Sequence, residues 1–132
     1  MTIPSNPKYL CLLRGVAESM LKCMNFSDTE RTRTILALDE AVTNIIRHSC
    51  GCDPDIKVDI TLSCTDDEIQ ITVRDFGDCG KDFNIDMVSK KDMDNVTPGG
   101  FGVNIIKTVM DSVVYKTSHK DGNVLIMRKK CG

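Results

Sequence analysis

The sequence predicts an α+β fold, a two-layer sandwich in which helices cover one face of a mostly antiparallel sheet. Three observations carry this expectation. Helical apolar spacing fills the first third of the chain, and alternating apolar and polar residues fill two later hairpin-like pairs. A third helical stretch stands between those pairs. The predicted order is helix, helix, strand, strand, long loop, helix, strand, strand.

The first helix is placed at about residues 6–24, where Leu10, Leu13, Ala17, Leu21 and Met24 fall on one stripe. Pro7 suits a helix start, where a missing N–H costs little. The second helix begins at "NFSDTE": Ser27 is an N-cap, and Glu30 three residues on completes a capping box. Its apolar face runs through Ile35, Leu38, Val42, Ile45 and Ile46 to about His48, and "GCDP" ends it with Gly51 and Pro54.

The period then changes to two. "DIKVDITLSC" alternates Ile56, Val58, Ile60 and Leu62 with polar residues, and after "TDD" the run "EIQITVRD" alternates through Ile69, Ile71 and Val73. The two form an antiparallel hairpin. Residues 76–102 carry five glycines and no sustained period, with a short helix weakly signalled near "DFNIDMVSK". Loops of this length in a compact domain are usually functional. "GVNIIKTVMD" then gives the third helix, with Val103, Ile106 and Met110 inward, and "SVVYKTSH" and "NVLIMRKK" form a second hairpin around "KDGN".

At 132 residues the chain suits one domain, and no repeat or linker divides it. A net charge of −2 and the absence of Trp argue against nucleic acid, and no apolar run is long enough to span a membrane. The beginning "MTIPSNPKYL" has no secretory pattern, so a cytoplasmic protein is expected. Seven cysteines without a CxxC pair read as reduced thiols acting as small buried hydrophobes, and Cys50 and Cys52 do not make a zinc pattern.

Three features can carry chemistry. Glu40 and Asn44 lie four apart on the second helix, so a carboxylate and a carboxamide share one face. Such an oxygen pair suits Mg²⁺, although the same pair often just faces solvent. Asp75 shares the parity of Ile69, Ile71 and Val73, which puts a carboxylate on the core face. There it either accepts from a ligand donor, such as the exocyclic amine of adenine, or begins a turn after Arg74. In "PGGFGVNIIK" glycines lead into a helix, as a phosphate cradle requires and as ordinary turns also do. Neither a P-loop nor a Rossmann fingerprint is present.

Taken in order, these boxes resemble those of the GHKL (Bergerat-fold) ATPases, and among them the anti-sigma-factor serine kinases of the RsbW and SpoIIAB type. "DEAVTNIIRHS" is similar to the N box, "VRDFG" to the G1 box and "GGFGVNIIKTVMD" to the G2 box, and the likeness runs from about Pro7 to Arg128. The resemblance implies one ATP-binding domain over residues 1–132, with a Bergerat-type sandwich and with residues 76–102 as the G1 box and ATP-lid region.

It further implies ATP and Mg²⁺ as cofactors, with Asn44 holding the metal and Glu40 as the general base that takes the proton from a substrate serine. Asp75 would accept from the adenine amine, and Gly77 would let the ring approach the backbone. His48, Lys81, Gly99, Gly100, Phe101, Gly102 and Val103 complete the expected nucleotide contacts. The implied function is an anti-sigma factor that sequesters a sigma factor and phosphorylates a STAS-domain anti-anti-sigma protein, with a homodimer as the expected assembly.

Two departures from the family pattern, Cys79 in place of a glycine and Phe101 in place of an arginine, motivate the alternative of an ATP-gated binding module without catalysis. A complete histidine kinase is not expected, since no phosphoacceptor helix segment precedes the domain.

Overall fold

In a computed structural model, which describes residues 1–51, 53–77, 98–118 and 120–132, the alternating stretches build one five-stranded sheet. Its strands are β1 (Thr2–Pro4), β2 (Lys57–Cys64), β3 (Glu68–Asp75), β4 (Ser112–Ser118) and β5 (Gly122–Lys130), in the spatial order β1-β2-β3-β5-β4. All four pairings are antiparallel. β3 is central, and its inward positions Ile69, Ile71, Val73 and Asp75 are all buried.

The helices are α1 (Leu10–Lys22), α2 (Asp28–Asn44) and α3 (Pro98–Val109), with α2 packed between the other two. Their apolar stripes and the inner sheet face make one core. Leu13, Leu21, Leu38, Val42 and Ile46 meet Val58, Ile60, Ile71, Val73 and Met127 there. The expected capping box is present: Ser27 Oγ accepts from Glu30 N at 3.2 Å, and Glu30 Oε2 accepts from Ser27 N at 3.0 Å.

Four details differ from the sequence expectation. β1 was not anticipated, because three residues with one buried side chain, Ile3, are too few to show a period. The first helix opens as a 3₁₀ turn at Pro7–Tyr9, with the Asn6 carboxamide oxygen accepting from Lys8 N at 3.0 Å. The second helix widens into a π turn, Ile45–Ser49, closed by Cys50 N donating to Ile45 O at 3.0 Å, and Gly51 at φ 58° then releases the chain. The third helix starts at Pro98, so Gly99, Gly100 and Gly102 lie inside its first turns rather than ahead of them. A proline in the first turn has no N–H to leave unpaired, which explains that start.

The cysteines also depart from expectation. Cys50 is buried, but Cys11, Cys23 and Cys64 are exposed. The short helix expected near "DFNIDMVSK" lies outside the described residues, as do Cys79, Lys81 and His119.

Candidate functional site

Register and chain connections bring the three sequence boxes to one end of the sheet. Asp75 closes β3 opposite Val58, at the start of β2, and opposite Asn123, at the start of β5. The far end is marked by Glu68 opposite Lys130. α2 begins at that far end, because Glu30 Oε1 accepts from the N–H of Gly132, just beyond β5, at 3.1 Å. Its 17 residues span about 25 Å, close to the length of an eight-residue strand. Its C-terminal side returns through residues 50–56 to the start of β2. Asn44, the last residue of α2, is therefore at the Asp75 end.

α3 runs the opposite way. It leads directly into β4, whose first residue, Ser112, pairs with Arg128 near the far end. Arg33 and Leu36, in the first half of α2, line one cavity with Ile105, Thr108 and Val109, at the C-terminal end of α3, as antiparallel neighbours do. The glycine-bearing N-terminus of α3 thus points to the end that holds Asn44 and Asp75.

The Asp75 carboxylate is fully buried, 0% exposed, and is held by named donors. Oδ1 accepts from Gly77 N at 2.9 Å and from Asn123 Nδ2 at 3.0 Å. The same amide nitrogen donates to the Gly77 carbonyl at 2.8 Å, so Asn123 ties the end of β3 to the residue after the strand. Burial of a carboxylate on an apolar face is tolerable only with such donors. Asp75 is accordingly built into the core face rather than swung out at a turn.

Gly122 adds a steric condition. It has φ +79°, and a Cβ there would come within 2.5 Å of the Asp75 carbonyl oxygen. Only glycine lets β5 enter the sheet beside the carboxylate.

On α2, Glu40 is half-buried and Asn44 is buried, 9% exposed. The two sit one turn, about 6 Å, apart along the axis. Asn44 Nδ2 is buried and has no hydrogen-bond partner among the described residues. His48 is exposed in the π turn that follows. Gly77 is buried beside Asp75, and the backbone of residues 99–103 is helical. Lys81 lies outside the described residues.

Sequence reasoning missed Asn123. Its signal was parity: it lies two before Leu125 and four before Met127, both buried, so the alternation of β5 places a carboxamide on the core face. Asn104, buried on α3, was also passed over.

Among the described residues no helix is long and apolar enough to cross a membrane. No group of three or more His, Cys, Asp or Glu side chains gathers among them.

Comparison with known proteins places this arrangement. Residues 3–129 match the family described as "Histidine kinase-like ATPase domain". The serine-protein kinase RsbW of Bacillus subtilis is 26% identical over 138 residues, covering 98% of this chain and 82% of that protein. The anti-sigma F factor of Clostridium perfringens is 36% identical over 107 residues, covering 76% of this chain and 73% of that protein. The catalytic domain of the histidine kinase ThkA superposes with a TM-score of 0.58 at 15% identity, covering 98% of this chain and 95% of that one, a likeness of fold alone. The chain belongs to the histidine kinase-like ATPase domain family, and within it to the nucleotide-binding serine-protein kinases and anti-sigma factors.

Proposed function

We propose that the chain is an ATP-dependent serine kinase and anti-sigma factor, which sequesters a sigma factor and phosphorylates a STAS-domain anti-anti-sigma protein in the cytoplasm. The observation that supports this best is the convergence of Asn44, Asp75 and the α3 N-terminus on one end of the sheet. A nucleotide needs a base acceptor, a metal ligand and a phosphate seat, and these three features supply one each.

Asp75 accepts from the exocyclic amine of adenine, its orientation held by Gly77 N–H and the Asn123 amide. Gly77 brings backbone close to the ring. The residues present fit a hydrated Mg²⁺: Asn44 offers a carboxamide oxygen, and its buried amide nitrogen lacks a partner that a phosphate oxygen would provide. An unmatched buried donor costs about 1–3 kcal/mol, so filling that place favours binding. When bound, ATP would supply the phosphoryl group and Mg²⁺ would offset its charge.

Gly99 and Gly100 present first-turn N–H groups, which an α-helix leaves without internal partners, to the phosphates, with Phe101 next in the turn. Gly102 and Val103 continue that turn, while His48 and Lys81 stand as further contacts, and residues 76–102 form the lid region of a single domain spanning 1–132. Glu40, one turn from Asn44, would take the serine hydroxyl proton as that oxygen bonds to the γ-phosphorus and the bond to the departing ADP breaks. A homodimer is the proposed assembly.

The experiment is Mg²⁺-dependent phosphate transfer from ATP to the serine of a cognate STAS-domain protein. Glu40→Gln should lower transfer by about 10²- to 10⁴-fold while ATP affinity stays near wild type. Unchanged transfer by Glu40→Gln would remove the assigned base. ATP binding with no phosphoprotein from the wild type would select the ATP-gated module, for which the Phe101 and Cys79 departures are the motive.

A further inference from the structure

At the end of the sheet away from Asp75, four sulfur-bearing side chains surround one cavity. Cys64 closes β2 opposite Ile69, whereas Asp75 stands opposite Val58 at the other end. Cys23 follows the last residue of α1 as its C-cap, and both thiols are exposed and free. They line a cavity of ≈ 620 Å³ together with Met20, Met24, Thr65 and Asp66. Cys23 and Met24 leave α1 in a tight turn, Cys23 N donating to Met20 O at 3.1 Å and Met24 N to Leu21 O at 3.2 Å, which keeps them close to Met20.

We propose that Cys23 and Cys64, supported by the thioethers of Met20 and Met24, form a binding site for a thiophilic monovalent cation of the Cu(I) class. The ligand chemistry selects the ion. Thiolates and thioethers are soft donors that favour Cu(I), whereas Mg²⁺ and Ca²⁺ require oxygen cages. Structural zinc requires four well-placed nitrogen, sulfur or carboxylate ligands, and no group of three or more His, Cys, Asp or Glu side chains gathers among the described residues. Two thiols face one cavity here, and a monovalent soft ion is satisfied by two thiolates with weak thioether support. Each thiol gives up its proton to solvent as it binds, and no electron changes hands.

The bound ion joins the C-terminal end of α1 to the end of β2, linking helix layer to sheet at a point remote from Asp75. The site is independent of the nucleotide reading: ATP affinity is expected to be the same with and without the ion.

The test is anaerobic titration of the full chain with Cu(I) in competition with bicinchoninate, under a non-thiol reductant. The wild type should hold one Cu(I) that Cys23→Ser and Cys64→Ser each release, with affinity lowered by about 100-fold or more. Cys11→Ser, at an exposed thiol outside this cavity, should retain it. Met20→Leu should weaken it by about 10-fold. In thermal melts one equivalent of Cu(I) should raise the midpoint of the wild type and of Cys11→Ser, and leave that of Cys23→Ser unchanged. Wild-type retention by Cys23→Ser and Cys64→Ser would overturn the proposal. So would a wild type that yields all its Cu(I) to bicinchoninate, or a pair that closes as a disulfide with hydrogen peroxide yet takes no Cu(I) when reduced.

Discussion

Asn123 makes two hydrogen bonds from one amide nitrogen, to Asp75 Oδ1 and to the Gly77 carbonyl, and both acceptors are buried. Removing it leaves two buried acceptors short of a donor. Asn123→Ala should therefore cost about 1–3 kcal/mol in urea unfolding, and should weaken ATP binding because Asp75 loses one of the groups that orient it. Wild-type values in both measurements would show that this amide holds nothing in place. Parity alone marked Asp75 as inward, since it continues Ile69, Ile71 and Val73. Which donors would satisfy it was not legible, because Asn123 lies 48 residues away and meets Asp75 only through strand pairing.

The elements with local signals were the ones the sequence placed well. Ser27 and Glu30 announce the start of α2 within four residues, and the structure forms both bonds of the box. Ser27→Ala should cost about 1 kcal/mol of stability. The box also has a pH signature. The Glu30 carboxylate is held below its ordinary value chiefly by the Ser27 N–H, so the folded chain binds this proton more weakly than the unfolded chain. Its stabilisation is complete at neutral pH and is lost as acidification passes through the lowered folded value. Glu30→Gln, which removes the titrating carboxylate, should therefore flatten the fall in stability on the acid side in denaturant titrations at stepped pH, whereas Ser27→Ala, which keeps the N–H, should leave most of it; a wild-type slope in Glu30→Gln would contradict this.

Where signals were ambiguous, boundaries moved. The glycines before "VNIIK" read as a loop because glycine weakens helices, yet the helix runs back to Pro98. Gly122 read as part of the turn "KDGN", but its φ of +79° and the nearness of the Asp75 carbonyl make it specific to this site. Gly122→Ala should destabilise by about 2 kcal/mol or more and should weaken ATP binding with it. A variant as stable as wild type would show that the backbone there relaxes freely.

Across the whole molecule, the antiparallel course of α2 and α3 converts three separate boxes into one place. The residue order 40–44, 75–77 and 99–103 is long in sequence, and the pairing of β2, β3, β5 and β4, together with the course of α2 and α3, sets their common end. Periodicity gave helices and strands, but strand order and helix direction depend on long-range contacts that no local pattern records. The sheet's uniform antiparallel pairing and the unannounced β1 belong to the same class of information.

The central claim is that ATP seats at the Asp75 end, and isothermal titration with ATP and Mg²⁺ tests it most directly. The wild type and Glu40→Gln should bind alike, while Asp75→Asn should lose about 10- to 100-fold in affinity through the charged acceptor it removes. Equal affinity in Asp75→Asn, or no binding by the wild type, would contradict the account.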